Sequence, residues 1–349
     1  MTSNSSPEPA LREVADGPPA PGQTLEIAPG VHWLRMPLPF ALNHVNLWLV
    51  EERDGHTLVD CGYGDAATRA HWQQHFATTL ADRPIRRIVA THCHPDHLGN
   101  AAWLAAHFDC AIAMTQGEYL AAHALIEGQA GFGQADVRAL FARHGMAGEH
   151  LASLAARGNH YHRGVPEAPH AFMRLIDGDT VTMGGRPWQV IVGYGHSPEH
   201  AALADAAGAL MIAGDMLLPR ISTNVAVWPG EPDGDPVARF LDSLARFEAL
   251  PADTLVLPSH GPPFRGIAPR VRRLRAHHAE RLDELQHTLA AAPRPQSAAE
   301  IIPVLFRREL DLQQRFFAMG EAIAHLNHLW RRGRAQRSVA TDGAIRYAA

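Results

Sequence analysis

Along this chain, short apolar runs stop abruptly on polar residues, and that rhythm defines the elements. Apolar segments at 31–38, 44–50 and 56–61 are divided by Pro/Phe-rich and Arg-Asp-Gly turn signals, and they read as strands of a meander. Residues 65–80 have helical spacing, 85–90 form a buried strand, 98–107 a helix and 111–114 a short strand. Residues 116–164 show no strand pattern. Tyr119, Leu125, Val137, Leu140, Phe141, Leu151 and Leu154 predict two or three helices there, an insertion outside any sheet. Strand patterns resume at 172–176, 180–183 and 188–192, with Asp177-Gly178 and Gly184-Gly185 as hairpin turns. A buried strand at 210–213, a helix at 237–250 and a strand at 254–257 follow. From Arg270 the pattern becomes a long Arg/Glu-rich helix to about Ala291, a break at Pro293 and Pro295, and helices at 298–305 and 312–332. Residues 338–339 and 344–347, around Asp342-Gly343, predict a small β-hairpin. No internal repeat is visible. Strands and helices thus alternate twice before a helical, hairpin-tipped appendage, which makes this an α/β protein with a small second domain.

Composition narrows the class. The 349 residues suffice for one large domain and a smaller one, and 46% apolar with 19% charged residues fits an ordinary globular protein. Cys61, Cys93 and Cys110 follow no paired spacing, so a reducing compartment is expected rather than a disulfide framework. No apolar run reaches the eighteen or so residues of a membrane helix, and no membrane partner is expected. Residues 1–23 lack a signal pattern and read as a disordered tail, which leads to a cytoplasmic expectation. The net charge of −5 is uneven: residues 265–349 hold 15 Arg against 8 acidic residues, leaving the preceding part strongly acidic. That basic segment keeps a nucleic-acid partner in view, against a solvated or internally paired helix face.

The chemistry begins at "THCHPDHLGN", residues 91–100. His92 and His94 lie two apart where a strand runs out, so their side chains can point the same way. Pro95 keeps His94 out of helical geometry and can start the next helix, with Asp96 and His97 in its first turn and aimed differently. Imidazole and carboxylate are the ligand types of zinc and similar divalent ions, and this layout can supply two metals. Four further strand ends carry ligand-type residues: Asp60 in "TLVDCGYG", His196 in "GYGHSPEH", Asp215 in "LMIAGDML" and His260 in "LVLPSHGPP". Taken singly, each reads as a turn-former; together, at strand ends where α/β proteins gather their sites, they read as one metal centre. Cys93, the spacer of His-x-His, should point away. His277-His278 on the Arg-rich helix should be solvated, and His160 and His162 should be loop residues without a role.

In order and type, Asp60, the His92/His94/Asp96/His97 cluster, His196, Asp215 and His260 resemble the five signature motifs of the metallo-β-lactamase-fold hydrolases, over about residues 24–261. The resemblance implies a four-layer αββα sandwich spanning 24–265, carrying the helical insertion at about 116–164. It implies that His92, His94 and His196 hold one metal, that Asp96, His97 and His260 hold the other, and that Asp215 bridges them. Asp60 would orient a ligand without touching metal. Zinc is the expected metal, with iron or manganese as alternatives. Two such cations can lower the pKa of a shared water toward about 7, so that hydroxide attacks the substrate while a metal polarises its oxygen. Asp96 is the candidate to orient that hydroxide and relay a proton. Where many relatives carry Gly, this chain has Glu199, which with His200 is a candidate either for hydrogen bonding around the ligands or for substrate contact. The segment 266–349, through "AHLNHLWRRGRAQR" and "DGAIRYA", resembles the winged-helix-like tail of the β-lactamase-like protein 2 group of the same superfamily, whose neighbours include thioester hydrolases and an RNA-cleaving protein. The acidic catalytic part favours a small acyl substrate, a thioester before an ester or lactone; the alternatives are an endoribonuclease or phosphodiesterase and, more remotely, a metal-binding regulator.

Overall fold

In the computed structural model, which describes residues 11–15, 17–156 and 158–349, two seven-stranded sheets lie face to face. The chain joins the fold at β1 (Arg12–Glu13), an edge strand antiparallel to a later one. The first sheet then runs in chain order: β2 (Leu25–Ala28), β3 (Val31–Pro37), β4 (His44–Glu52), β5 (Gly55–Val59), β6 (Ile85–Val89), β7 (Ala111–Thr115) and β8 (Met173–Leu175). The meander β2–β5 is antiparallel, whereas β5, β6, β7 and β8 pair in parallel. Parallel neighbours need crossovers, and these are α1 (Ala66–Ala77), then α2 (Pro95–Leu98) with α3 (Ala101–Phe108). The third crossover is the insertion, α4 (Gln116–Glu127), α5 (Gln134–Arg143), α6 (Gly148–Ala156) and α7 (His160–Gly164).

The second sheet holds β9 (Thr180–Met183), β10 (Arg186–Gly193), β11 (His200–Asp205), β12 (Leu210–Gly214), β13 (Leu255–Pro258) and β14 (Phe264–Arg265), in reverse chain order from β1. Here only β12 and β13 are parallel, linked by α8 (Pro236–Phe247). The tail of the chain is α9 (Ile267–Ala291), α10 (Ala298–Leu305), α11 (Leu312–Arg331) and the hairpin β15 (Gln336–Val339) with β16 (Ile345–Ala348).

Alternation along the strands builds the layers. In β3 and β4, Val31, Trp33, Trp48 and Val50 face the second sheet, where they meet Trp188, Val190, Leu203 and Leu257. Leu34, Met36, Leu47 and Leu49 face the other way, onto Trp72 of α1 and Leu104 of α3. Outside the second sheet, Met211, Ala213 and Val256 pack with Phe240 of α8, Leu274 of α9 and Ile323 of α11. The order of layers is helix, sheet, sheet, helix, the expected sandwich. The C-terminal helices share their apolar cluster with the second sheet, so the second domain is docked through a common core. Among the described residues no helix is long and apolar enough to cross a membrane.

Five expectations need correction. Asp177-Gly178 closes no hairpin: β8 before it pairs with β7 in the first sheet and β9 after it with β10 in the second, so the turn carries the chain from one sheet to the other. The tail is not structureless throughout: Arg12–Glu13 pairs with Phe264–Arg265, and Glu13 accepts from Arg220 at 2.7 Å, while residues 1–10 and 16 lie outside the described part. The insertion has four helices rather than two or three. The expected helix at 98–107 is two, parted at Gly99-Asn100. β11 lies where no strand was expected; its Ala201-Ala202-Leu203-Ala204 has little strand propensity, but complete cover on both faces overrides propensity.

Candidate metal centre

Parallel pairing brings the site together. β5 and β6 end side by side, so Asp60 and His92 leave the same edge of the first sheet; β12 and β13 do likewise for Asp215 and His260 in the second. β10 runs in the same direction as β12, two antiparallel steps away, and so releases His196 at that edge too. His94 caps α2 with extended backbone, and Asp96 and His97 fill its first turn. Asp60 adopts φ +64°, a region that residues with a Cβ seldom occupy and Asp tolerates better than most. Gly214 has φ +52°, and a Cβ there would stand 2.4 Å from the His200 ring, so only glycine fits before Asp215.

Two sets of ligand-type atoms converge. Those of His92, His94, His196 and Asp215 lie within 4.8 Å of one another, as do those of Asp96, His97 and His260. Asp215 joins the sets: Oδ2 is 3.3 Å from His196 Nε2, and Oδ1 is 3.6 Å from His97 Nε2 and 3.4 Å from His260 Nε2. Asp96 Oδ2 lies 3.5 Å from His97 Nε2 and 3.4 Å from His260 Nε2.

The far ring nitrogens fix which nitrogen faces inward. His97 Nδ1 donates to Asp60 Oδ2 at 2.8 Å, His196 Nδ1 to the Asn224 carbonyl at 2.8 Å, and His260 Nδ1 to the His44 carbonyl at 2.8 Å. Thr91 Oγ1 donates to Asp60, so it accepts from His92 Nδ1 at 3.0 Å. Every one of these rings therefore turns a lone pair on Nε2 toward the centre. His92 Nε2 then sits 3.3 Å from His196 Nε2. Lone pairs that close repel unless positive charge lies between them. Buried Asp215 Oδ1 and His97 Nε2 also have no hydrogen-bond partner. Convergent lone pairs and orphaned buried atoms are the signature of a cation site, and the residues fit two divalent ions.

Electrostatics agree. Burial, helped by neighbouring rings, holds His92 well below the ordinary histidine value and His94 down to about 3. Burial acts the same way on His97 and His260, but carboxylates outweigh it: Asp96, Asp60 and Asp215 hold His97 well above its ordinary value, and Asp215 with Asp96 push His260 up to about 10. Asp215 is held well down, its burial outweighed by His260 and His97. This side of the centre demands positive charge, which a divalent cation supplies while leaving imidazole neutral.

Each expected residue can now be placed. His92, His94, Asp96, His97, His196, Asp215 and His260 come together, and Asp60 lies behind His97 as a hydrogen-bonding support, also accepting from the Thr91 amide at 2.8 Å. Cys93 turns its thiol into the core. Of the two roles considered for Glu199 and His200, the structure shows the hydrogen-bonding one. The Glu199 carboxylate accepts from Gly117 N–H at 2.7 Å at the start of α4. His200 is fully buried beneath the ligands, its Nε2 accepting the Asp215 amide at 3.1 Å. The structure also adds Glu118. This buried carboxylate accepts from Cys93 N–H at 2.9 Å, Ser197 Oγ at 2.6 Å and Glu199 N–H at 2.7 Å, tying the His92-x-His94 loop to the His196 loop. Its sequence signal, an acid in a helix's first turn, is indistinguishable from one that complements the helix dipole.

Residues 41–260 match the family described as the Metallo-beta-lactamase superfamily, and residues 284–349 match the Metallo-beta-lactamase-like, C-terminal domain. The probable metallo-hydrolase YqjP of Bacillus subtilis is 26% identical over 303 residues, covering 85% of this chain and 91% of that one. A beta-lactamase domain protein from Burkholderia ambifaria is 48% identical with a TM-score of 0.90, covering 97% of this chain and 98% of its own. The metallo-beta-lactamase family protein TTHA1429 from Thermus thermophilus is 28% identical with a TM-score of 0.76, covering 93% and 99%. Ligand geometry and likeness converge: the chain belongs to the metallo-beta-lactamase superfamily and is a metallo-hydrolase.

Proposed function

We propose that this protein is a dinuclear hydrolase of a small acyl compound, a thioester before an ester or lactone. The observation that carries the dinuclear part is Asp215, whose two carboxylate oxygens point to different ligand sets. In this reading His92, His94 and His196 hold one ion, Asp96, His97 and His260 hold the other, and Asp215 spans both. When bound, two divalent cations, zinc first among them, supply a water acidified toward neutrality and an electrophile for the carbonyl oxygen. Asp96 is the ligand carboxylate with solvent access, its side chain one-fifth exposed, which suits it to take a proton from the attacking water and hand it to the leaving group. His94, also partly exposed, marks the side from which substrate enters. Thr91, Asp60 and the carbonyls of His44 and Asn224 keep the rings in the ligating tautomer throughout.

The runner-up is a nuclease using the C-terminal domain, which in that reading has a winged-helix-like role, to hold RNA. Internal pairing of that domain's arginines counts against it. Arg275 pairs with Glu248, Arg294 with Glu300, Arg334 with Asp283, Arg337 with Asp233, and Arg346 with Glu300 and Asp342. Charges neutralised in place release few counterions from a polyanion. A parallel assay with acyl-CoA thioesters, acyl homoserine lactones, bis-p-nitrophenyl phosphate and a short RNA tests the choice. Turnover of a carbonyl substrate that stops on chelation and returns with zinc is expected. Chelator-sensitive cleavage of RNA alone would replace this reading with the nuclease.

A further inference from the structure

After Asp215 the chain runs through residues 222–228 without helix or strand. This strap nevertheless supports two ligands. Thr223 Oγ1 donates to the Asp215 carbonyl at 2.5 Å, and the Asn224 carbonyl accepts from His196 Nδ1 at 2.8 Å. A segment with no ladder of its own is only as firm as its packing partners. Those partners are on α11. Val225 and Val227 are buried in one cluster with Met319, Ala322 and Ile323. Val227 N–H donates to the Gly320 carbonyl at 3.0 Å. Gly320 lets the strap approach closely, since a Cβ there would stand 2.9 Å from Ala226 Cβ and 3.3 Å from the Val227 carbonyl oxygen. One residue on, Glu321 Oε2 accepts from Asn224 Nδ2 at 3.1 Å. Burial pushes the Glu321 carboxyl up to about 7, opposed by the Asn224 amide, so the position carries a desolvation cost that an apolar residue would avoid.

We infer that Gly320 and Glu321 are positioning residues for the metal centre. Through Asn224 and Thr223 they hold His196 and Asp215 in ligating geometry, so the C-terminal domain braces the ligand set of the catalytic domain without adding a ligand to it. This rests on the dinuclear reading above. Supports one step behind a ligand shift metal affinity by about 10–100-fold, and Glu321 acts at one further remove through Asn224, so roughly the lower end of that range is expected.

The test uses full-length metal-free protein titrated with zinc against a chromophoric chelator, with the melting curve of each metal-free variant as a folding control. The parent should bind two ions. Glu321→Ala should weaken the ion held by His92, His94 and His196 by about 10-fold. Glu321→Gln, whose amide oxygen still accepts from Asn224, should bind within about 3-fold of the parent, a rescue that a mere charge effect would not give. Should Glu321→Ala fail to melt cooperatively, Gly320→Ala decides: its methyl must displace Ala226, and weakened zinc binding supports the inference while parental binding overturns it. Glu321→Ala with parental affinity, or Ala and Gln variants equally weakened, also overturns it. A parent that binds no zinc instead sinks the dinuclear reading itself.

Discussion

His92, His94, His97, His196 and His260 meet at the sheet edges, while His278 and His325 meet between α9 and α11. Both sets are rings at close quarters, buried except for the partly exposed His94, yet their surroundings differ. In the second set His325 Nδ1 donates to the Glu321 carbonyl at 2.9 Å, leaving its Nε2 to accept from His278 Nδ1 at 3.1 Å. The rings stack at 5.3 Å, no carboxylate among the described residues is bonded to either, and burial, helped by the charges of neighbouring rings, pushes His278 down to about 3 and His325 down to about 4. In the first set three carboxylates stand among the rings, and lone pairs face each other instead of protons. Buried histidine therefore signals metal only where neighbouring acids leave positive charge to be supplied. In the C-terminal pair one ring bonds the other and His278 Nε2 stays buried without a partner, but no acid faces it, so the rings act as core.

The largest effect that separates the sets should come from Asp215→Ala beside His278→Leu. Removing the shared ligand should lower kcat/KM by about 10³-fold or more and release metal, because the charge stabilisation of the reaction goes with it. His278→Leu should leave turnover within about 2-fold and cost on the order of 1–2 kcal/mol of stability through an unpaired nitrogen on His325. Hydrolysis rates and metal content on both variants check this. Parental turnover by Asp215→Ala would make the two sets alike.

Asp60→Asn probes how far the first set depends on its supports. The amide keeps one acceptor for the Thr91 N–H but turns a donor toward Thr91 Oγ1 or His97 Nδ1, which forces His97 into the wrong tautomer. Zinc affinity in chelator competition should fall about 10–100-fold with the fold intact. An unchanged affinity would reduce Asp60 to a loop-former with unusual φ.

Acid should act on the second set without needing metal. The unfolded chain takes up protons near the ordinary histidine value of 6.5, whereas folded His278 and His325 do so only at about 3 and about 4. Stability from the neutral pair is therefore fully present above about pH 6.5 and drains as the pH falls toward 4. Between pH 7 and 5 the loss should be on the order of 2 kcal/mol per ring. Melting of the metal-free protein at both pH values measures it, and His278→Leu should show a shallower dependence. An equal slope in parent and variant would mean that the pair does not set it.

Much of this contrast was legible in the sequence, and the parts that were not have physical reasons. The ligands stood out because β5, β6, β12 and β13 are apolar runs that break off at a His or Asp, and parallel pairing then has to bring those ends to one edge. Asp60 was placed by the same signal. For Glu199 and His200 the sequence left hydrogen bonding around the ligands and substrate contact both open, because they neighbour His196; the unrecognised strand β11 carries His200 under the site, where it bonds the Asp215 amide. Glu118 and Glu321 were hidden because their partners, Cys93, Ser197 and Asn224, lie far away in sequence, and no local period reports such bonds. His278 was a different kind of miss. It falls in the buried stripe Val271, Leu274, His278, Leu282, Leu285 and Leu289 of α9, so helical spacing did mark it, while the surrounding arginines drew it to solvent.

His277 is the finest test of that stripe. It is adjacent to His278, with ring centroids 5.5 Å apart, but sits one position off the stripe and is only half-buried. If periodicity decides which ring is core, His277→Ala should change stability by no more than about 0.5 kcal/mol, since the lost contact is offset by the better helix propensity of alanine. It should leave turnover and zinc affinity at parental values and barely alter the acid dependence of melting. Thermal denaturation at pH 7 and 5 reads both quantities. A loss equal to that of His278→Leu would mean that the second set contains three coupled rings, and the line between packing and charge would then have to be drawn around α9 as a whole.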